Sequence, residues 1–221
     1  MLKDNKGFST IELIVVLLVS SLLIAGVTSS FYLMKNSILR ATMRDITTYK
    51  TAIFTYYENL DKMPGDDAKE FKFENSCHAW TNLQNENLIL TTRKLEDCET
   101  LFLNPRFNIH SKIKNTWFAL GKRNAGNTEF AEFNKNSIAL FGGRGDISFD
   151  DAESSLTFKK ENLALSLKDA LYIDKKLDDG NLDTGTIIGV GIDNDSCGGI
   201  GERGNVNSNE LACVLFFDLG F

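Results

Sequence analysis

The chain has 221 residues, of which 43% are hydrophobic and 24% charged, with a formal net charge of −6. That length bounds one domain plus an anchor, or at most two small domains. The mildly acidic balance argues against nucleic acid as a main partner. With two histidines and no Ser or Cys nucleophile motif, catalysis has no sequence signal.

The chain opens with a short charged leader, residues 1–7, carrying Lys3, Asp4 and Lys6. From Phe8 to Leu33 the single charge is Glu12. A helix of that length crosses a hydrocarbon core of roughly 30 Å. It differs from an ordinary secretory signal, because Ala25 and Gly26 form no clean Ala-x-Ala cleavage site. A carboxylate near mid-bilayer costs roughly 2.5–3.5 kcal/mol on insertion scales. Anchoring alone does not explain that cost, since a wholly apolar segment anchors better. Glu12 therefore calls for a partner.

The run Gly7-Phe8-Ser9-Thr10-Ile11-Glu12-Leu13 follows a basic leader and opens an unbroken apolar stretch. It resembles the class III signal of type IV pilins and type II secretion pseudopilins. The resemblance implies that a membrane-embedded aspartyl prepilin peptidase cuts after Gly7 and methylates the new amine on Phe8. It places Glu12 at the fifth mature position, where the family carries its assembly glutamate. The implied protein is a structural filament subunit and not an enzyme. It would sit in the inner membrane by a single pass, with its C-terminal domain periplasmic. Inner-membrane assembly machinery would then build it, with copies of itself or other pilin-like subunits, into a type IV pilus or a type II secretion pseudopilus. The competing reading is a single-pass, membrane-anchored periplasmic binding domain or enzyme that does not polymerise.

Cleavage after Gly7 would remove Lys3, Lys6 and Asp4, leaving 22 basic and 29 acidic residues and a charge of −7. The freed amine would meet the Glu12 of a neighbouring subunit in low dielectric, where attraction far exceeds its value in water. Desolvation offsets much of that gain, so the contact is expected to set axial register more than to add stability. Lys3 and Lys6 on one flank against Lys35, Arg40 and Arg44 on the other do not orient the anchor by charge. The processing motif and the placement of the cysteines do.

Past residue 33 the periodicity changes. Leu39, Met43, Ile46, Tyr49, Ile53, Tyr56 and Leu60 recur at steps of three or four, with Arg40, Arg44, Asp45 and Lys50 between them. That is the pattern of an amphipathic helix laid on a core. One helix over residues 8–60 is expected, about 80 Å long at 1.5 Å per residue. Gly26 is its soft point, worth about 1 kcal/mol against Ala. Pro64 and Gly65 end it. Pro64-Gly65-Asp66 also resembles a recurrent feature of some pseudopilin-like proteins, although a bare helix stop explains it equally well. Residues 8–33 are thus the membrane or filament-core half, 34–62 the amphipathic half, and 63–221 a disulfide-bonded globular head.

Residues 71–106 read as a linker region with a short helix over 82–90. Strand-like runs follow at 116–120, 137–141, 146–149, 156–158, 187–192 and 211–217, separated by turn-rich stretches. A helix over 162–175 would place Leu163, Leu167, Ala170 and Leu171 on one face. The fold class is α+β: a long N-terminal helix packed on a C-terminal antiparallel β-sheet.

Cys77, Cys98, Cys197 and Cys213 all follow the apolar run. An even number there reads as disulfides in an oxidising compartment. The absence of any Cys-x-x-Cys spacing argues against zinc. Of three pairings, Cys77–Cys98 and Cys197–Cys213 close the shortest loops, each worth about 3 kcal/mol.

Asp174-Lys175-Lys176-Leu177-Asp178-Asp179-Gly180-Asn181-Leu182-Asp183-Thr184-Gly185 is the densest set of hard oxygen donors. It fails the EF-hand pattern, since Gly180 at the sixth loop position puts Lys175 at the first. An Asp-Gly turn with solvated acids is the favoured reading. The alternative is a calcium loop using Asp178, Asp179, Asn181 and Asp183, in keeping with the calcium bound in a C-terminal loop of major pseudopilins. Asp193-Asn194-Asp195 is a weaker candidate. Gly199-Ile200-Gly201-Glu202-Arg203-Gly204 has a dinucleotide glycine pattern without its strand–turn–helix context. Arg144-Gly145-Asp146 reads as a turn, and His78 and His110 as surface or structural residues.

Overall fold

The computed structural model describes residues 9–66, 76–90, 108–123, 135–143, 160–191, 197 and 210–220. It divides into two compact units, Met1–Arg40 and Ala41–Phe221. Helix α1 is Thr10–Leu60, 51 residues long. Its first part belongs to the first unit and its remainder to the second.

In the first unit the apolar side chains of α1 from Ile11 to Met34 face outward: Ile11 is 68% exposed and Leu33 67%. The most apolar window has a mean hydropathy of 2.5 and none of it is buried, so the helix is long and apolar enough to cross a membrane. The hydroxyls from Ser20 to Ser30 are satisfied within the helix. Ser20 and Ser21 donate to the carbonyls of Leu17 and Leu18, at 3.0 and 2.8 Å. Thr28 and Ser29 both donate to the Ala25 carbonyl at 3.0 Å, and Ser30 to that of Gly26 at 2.9 Å. A helix in hydrocarbon has to meet that condition, because no water is there to serve its polar groups. A Cβ at Gly26 would meet no atom within 4 Å, and the helix runs through it unbroken.

In the second unit the predicted stripe on α1 is buried at Met43, Ile46, Ile53 and Tyr56. Leu60 departs from it and is 40% exposed. It lies in the last residue of the helix, where Asp61 turns into the left-handed region at φ 51° and the chain leaves the helical path. Met63 and Pro64 then tuck inward, and Gly65, at φ 75°, closes a turn through Asp66 N–H to the Met63 carbonyl at 3.2 Å. Tyr49 meets Trp80 and Phe118 edge-on, with ring centroids 5.1 and 5.3 Å away. The Lys50 ammonium donates to the Asp218 carbonyl at 2.8 Å. These contacts fix this part of α1 against the sheet.

Among the described residues the sheet has six strands: β1 (Ile109–His110), β2 (Thr116–Arg123), β3 (Lys135–Gly142), β4 (Leu165–Ser166), β5 (Ile187–Val190) and β6 (Leu211–Asp218). Every pairing is antiparallel. Strand β6 is the hub, placing Leu215 opposite Leu140 of β3, Phe217 opposite Ile187 of β5, and Cys213 opposite Leu165 of β4. Both faces are buried. Phe118, Leu120, Ile138, Leu140, Leu215 and Phe217 are inaccessible on the alternate positions. Trp117, Ala119, Ala139, Phe141, Leu163, Val214 and Phe216 form a second cluster. Two buried faces explain why these strands read as continuous apolar runs and not as alternating ones.

Two helical expectations shift. Helix α2 is Ser76–Asn85, earlier than residues 82–90. Its N-terminal end is held by Ser76, whose buried hydroxyl donates to Asn108 Oδ1 at 2.6 Å and accepts Leu120 N–H at 2.8 Å. Trp80 and Leu83 are then buried. The expected helix over 162–175 is a 3-10 turn (Lys160–Asn162), then β4, then α3 (Leu167–Leu177). Leu163 therefore belongs to the second cluster, and α3 buries Leu167, Ala170, Ile173 and Asp174. The strands expected at 146–149 and 156–158 lie outside the described residues.

Candidate functional site

Of the three residues that carry the leader resemblance, Gly7 and Phe8 lie outside the described residues. Glu12 sits in the first turn of α1, where a carboxylate complements the helix dipole. Its Oε2 accepts the backbone N–H of Ser9 at 2.9 Å, a local cap for the helix start. The side chain is exposed, at the head of the outward-facing apolar stretch from Ile11 to Met34. The carboxylate is thus aimed back along the chain, one residue short of Phe8.

The second candidate lies at the end of α3. Ser166 caps the helix start: its hydroxyl accepts Asp169 N–H at 3.3 Å and donates to Asp169 Oδ2 at 2.8 Å. Asp174 falls four residues after Ala170 and seven after Leu167, on the buried stripe of α3, and is 0% exposed. One turn later Asp178 ends the helix, its N–H bonded to the Asp174 carbonyl at 2.7 Å. Its Oδ2 accepts the N–H groups of Thr186 and Ile187. Asp179 accepts Asn181 N–H at 2.8 Å and the Thr184 hydroxyl at 2.6 Å. Gly180 and Gly185, at φ 86° and 82°, supply the left-handed positions that this tight return demands.

Oxygens of Asp174, Asp178 and Asp179 all lie within 4.8 Å of one another. Both Asp174 oxygens lack a hydrogen-bond partner among the described residues. Burial, then the negative charges of Asp179 and Asp178, push the Asp174 carboxyl up to about 6. The Gly180 and Asn181 amides act in the opposite direction, without reaching hydrogen-bond geometry. The Asp179 carboxyl is held below its ordinary value, chiefly by the Thr184 hydroxyl and the Asn181 amide.

Of the four loop residues expected as calcium ligands, Asp178 and Asp179 come together. Asp183 stands outside the acidic cluster. The Asn181 side-chain oxygen is occupied by Asp183 N–H at 3.3 Å. Asp174 is the member that sequence reasoning missed as a ligand. Its signal was its spacing, four residues after Ala170 and seven after Leu167 on the apolar face of the helix. Asp174, Asp178 and Asp179 together offer three carboxylate oxygens of the kind a hard cation takes, of the roughly six to eight that calcium needs.

The Cys197–Cys213 disulfide is present as expected, with a Cα–Cα distance of 5.4 Å. Cys77 is also disulfide-bonded, and its expected partner, Cys98, lies outside the described residues. So do the motifs at 144–146, 193–195 and 199–204. His78 and His110 are exposed, and the His110 ring lies 5.0 Å from that of Trp117. No family model, curated protein or solved structure matches this chain.

Proposed function

We propose that this chain is a pilin-like structural subunit, processed after Gly7 and assembled through its N-terminal helix into a type IV pilus or a type II secretion pseudopilus. The observation that carries the reading is the start of α1. The outward-facing apolar stretch of α1 from Ile11 to Met34 bears a single carboxylate, Glu12, on its first turn, and that carboxylate accepts the Ser9 amide. A membrane alone satisfies the apolar surface but gives the carboxylate nothing. Packing of the same helix against identical helices satisfies both, with Glu12 moving from its own Ser9 amide to the amine on Phe8 of a neighbour. The head, carrying its disulfides, would face outward from the filament, as the compartment of an oxidised domain requires.

The test is assembly of a Glu12→Ala variant in cells that carry the native machinery. Processing is expected to continue and filaments to be lost, read by shear-fraction immunoblot and electron microscopy. Normal filaments from that variant would remove the role assigned to Glu12. A wild-type chain that stays membrane-bound and never forms filaments would favour an anchored periplasmic domain instead.

A further inference from the structure

We propose that the turn between β1 and β2, with the adjoining part of α1, is a contact surface for anionic lipid, in which Arg44, Lys112 and Lys114 meet headgroup phosphates. The proposal rests on the anchoring of α1 in a membrane, and not on leader processing or filament assembly. All three basic side chains are exposed. Burial raises the Asp45 carboxyl, while the charges of Lys112 and then Arg44 draw it back down. Two elements distant in sequence thus bring their cations to one place, on a chain whose formal charge is −6.

The turn is held so that its lysines stay in solvent. Ser111 is buried, and its hydroxyl lies 3.5 Å from the buried hydroxyl of Thr42 on α1. The Ser111 hydroxyl also accepts the Ile113 N–H at 3.2 Å, and the Ser111 N–H donates to the Thr116 carbonyl at 3.0 Å. The Thr116 hydroxyl donates to the Ile113 carbonyl at 2.9 Å. Asn115, at φ 58°, turns the chain into β2, and its carbonyl accepts the Gly143 N–H at 3.2 Å. Lys112 and Lys114 therefore stand on a pinned backbone, which lowers the ordering cost of a contact.

Lipid is favoured over an acidic protein by the place of Arg44 on α1. It comes ten residues after Met34, the last of the outward-facing apolar stretch, a rise of about 15 Å at 1.5 Å per residue. Headgroups extend roughly 5–7 Å beyond the hydrocarbon on each side. The field of anionic lipid reaches about 8 Å further at physiological salt. Long basic side chains close the remaining gap. The flank Lys35, Arg40 and Arg44, which does not orient the anchor by charge, gains a use at this surface.

The test is electron spin resonance of spin-labelled phosphatidylglycerol and phosphatidylcholine around the full chain reconstituted in phosphatidylcholine bilayers. The chain should restrict phosphatidylglycerol in preference to phosphatidylcholine, and added NaCl should shrink that preference. Replacing Arg44→Gln, Lys112→Gln and Lys114→Gln together should lower it by about fivefold or more, what one fully effective basic side chain contributes. Their exposure means Tm in detergent should change little. Lys176→Gln, an exposed change on α3, should leave the preference intact. Equal restriction of the two lipids, or wild-type preference in the triple variant, would overturn the contact. So would an equal loss in Lys176→Gln, which would reveal a general charge effect. Loss of self-association in the triple variant with lipid preference unchanged would give the patch to a second copy and overturn the lipid assignment. A chain that restricts neither lipid is not inserted, which overturns the anchor and this contact with it.

Discussion

The carboxylate of Asp178 accepts the amide hydrogen of Ile187 at 2.9 Å, so the side chain that ends α3 fixes the first residue of β5. The same oxygen takes the Thr186 amide, and Gly185 leaves room for it, since a Cβ there would collide with that oxygen. One side chain therefore joins a helix end, a glycine turn and a strand that pairs with the hub of the sheet. The acidic loop is a structural joint before any ion is considered.

Asp178→Ala is accordingly expected to cost about 2–4 kcal/mol, the loss of two hydrogen bonds to a charged acceptor. At roughly 2–4 °C per kcal/mol for a chain of this size, that is a clear drop in Tm. Gly185→Ala acts on the same oxygen and also forces a left-handed φ on a side chain. The double substitution should cost less than the sum of the two, which denaturant unfolding of all four proteins in EDTA would measure.

The pH dependence has a definite sign. Burial and the neighbouring acids raise Asp174 from 3.8 to about 6, so the folded chain holds this proton more tightly than the unfolded chain. Its favourable contribution is complete below the unfolded value and is lost as pH rises through about 6. At about 1.36 kcal/mol per pKa unit, wild-type stability in EDTA should fall by roughly 2–3 kcal/mol between about pH 4 and pH 7 from this group. Asp45 and Asp183 are raised too, first by burial, while Asp179 is lowered. The comparison that isolates Asp174 is therefore wild type against Asp174→Asn across that range. Parallel curves would contradict the assignment.

The Cys197–Cys213 bond closes a loop of sequence separation 16 onto β6. Loop entropy sets its worth at about 3 kcal/mol, so Cys213→Ala should lower Tm by roughly 6–12 °C. Gly189 of β5 lies beneath it, where a Cβ would stand 2.7 Å from the Cys197 sulfur. Gly189→Ala should destabilise the oxidised protein by about 1–3 kcal/mol through overpacking. It should cost less when Cys197 is also replaced by Ala.

The sequence announced the elements whose cause is local or strongly periodic. Pro64 and Gly65 mark the end of α1, and the apolar runs of β2, β3, β5 and β6 lie where hydrophobicity alone put them. The errors arose where tertiary contacts override pattern. Nothing in the sequence says that the Ser76 hydroxyl will bond Leu120, which is what holds α2 six residues earlier than its apolar pattern suggests. The capping signal Ser166-Leu167-Lys168-Asp169 was legible, and it outranks the weaker stripe that began at Leu163. Asp174 was within the acidic stretch and reads as one more solvated acid, although its spacing from Leu167 and Ala170 places it on the face that α3 buries.

The most direct measurement is the intact mass and N-terminal sequence of the chain purified from its native membrane. Processing as a filament subunit predicts loss of residues 1–7 and a methylated Phe8 at the new terminus. An intact Met1, or cleavage near Ala25, would contradict it.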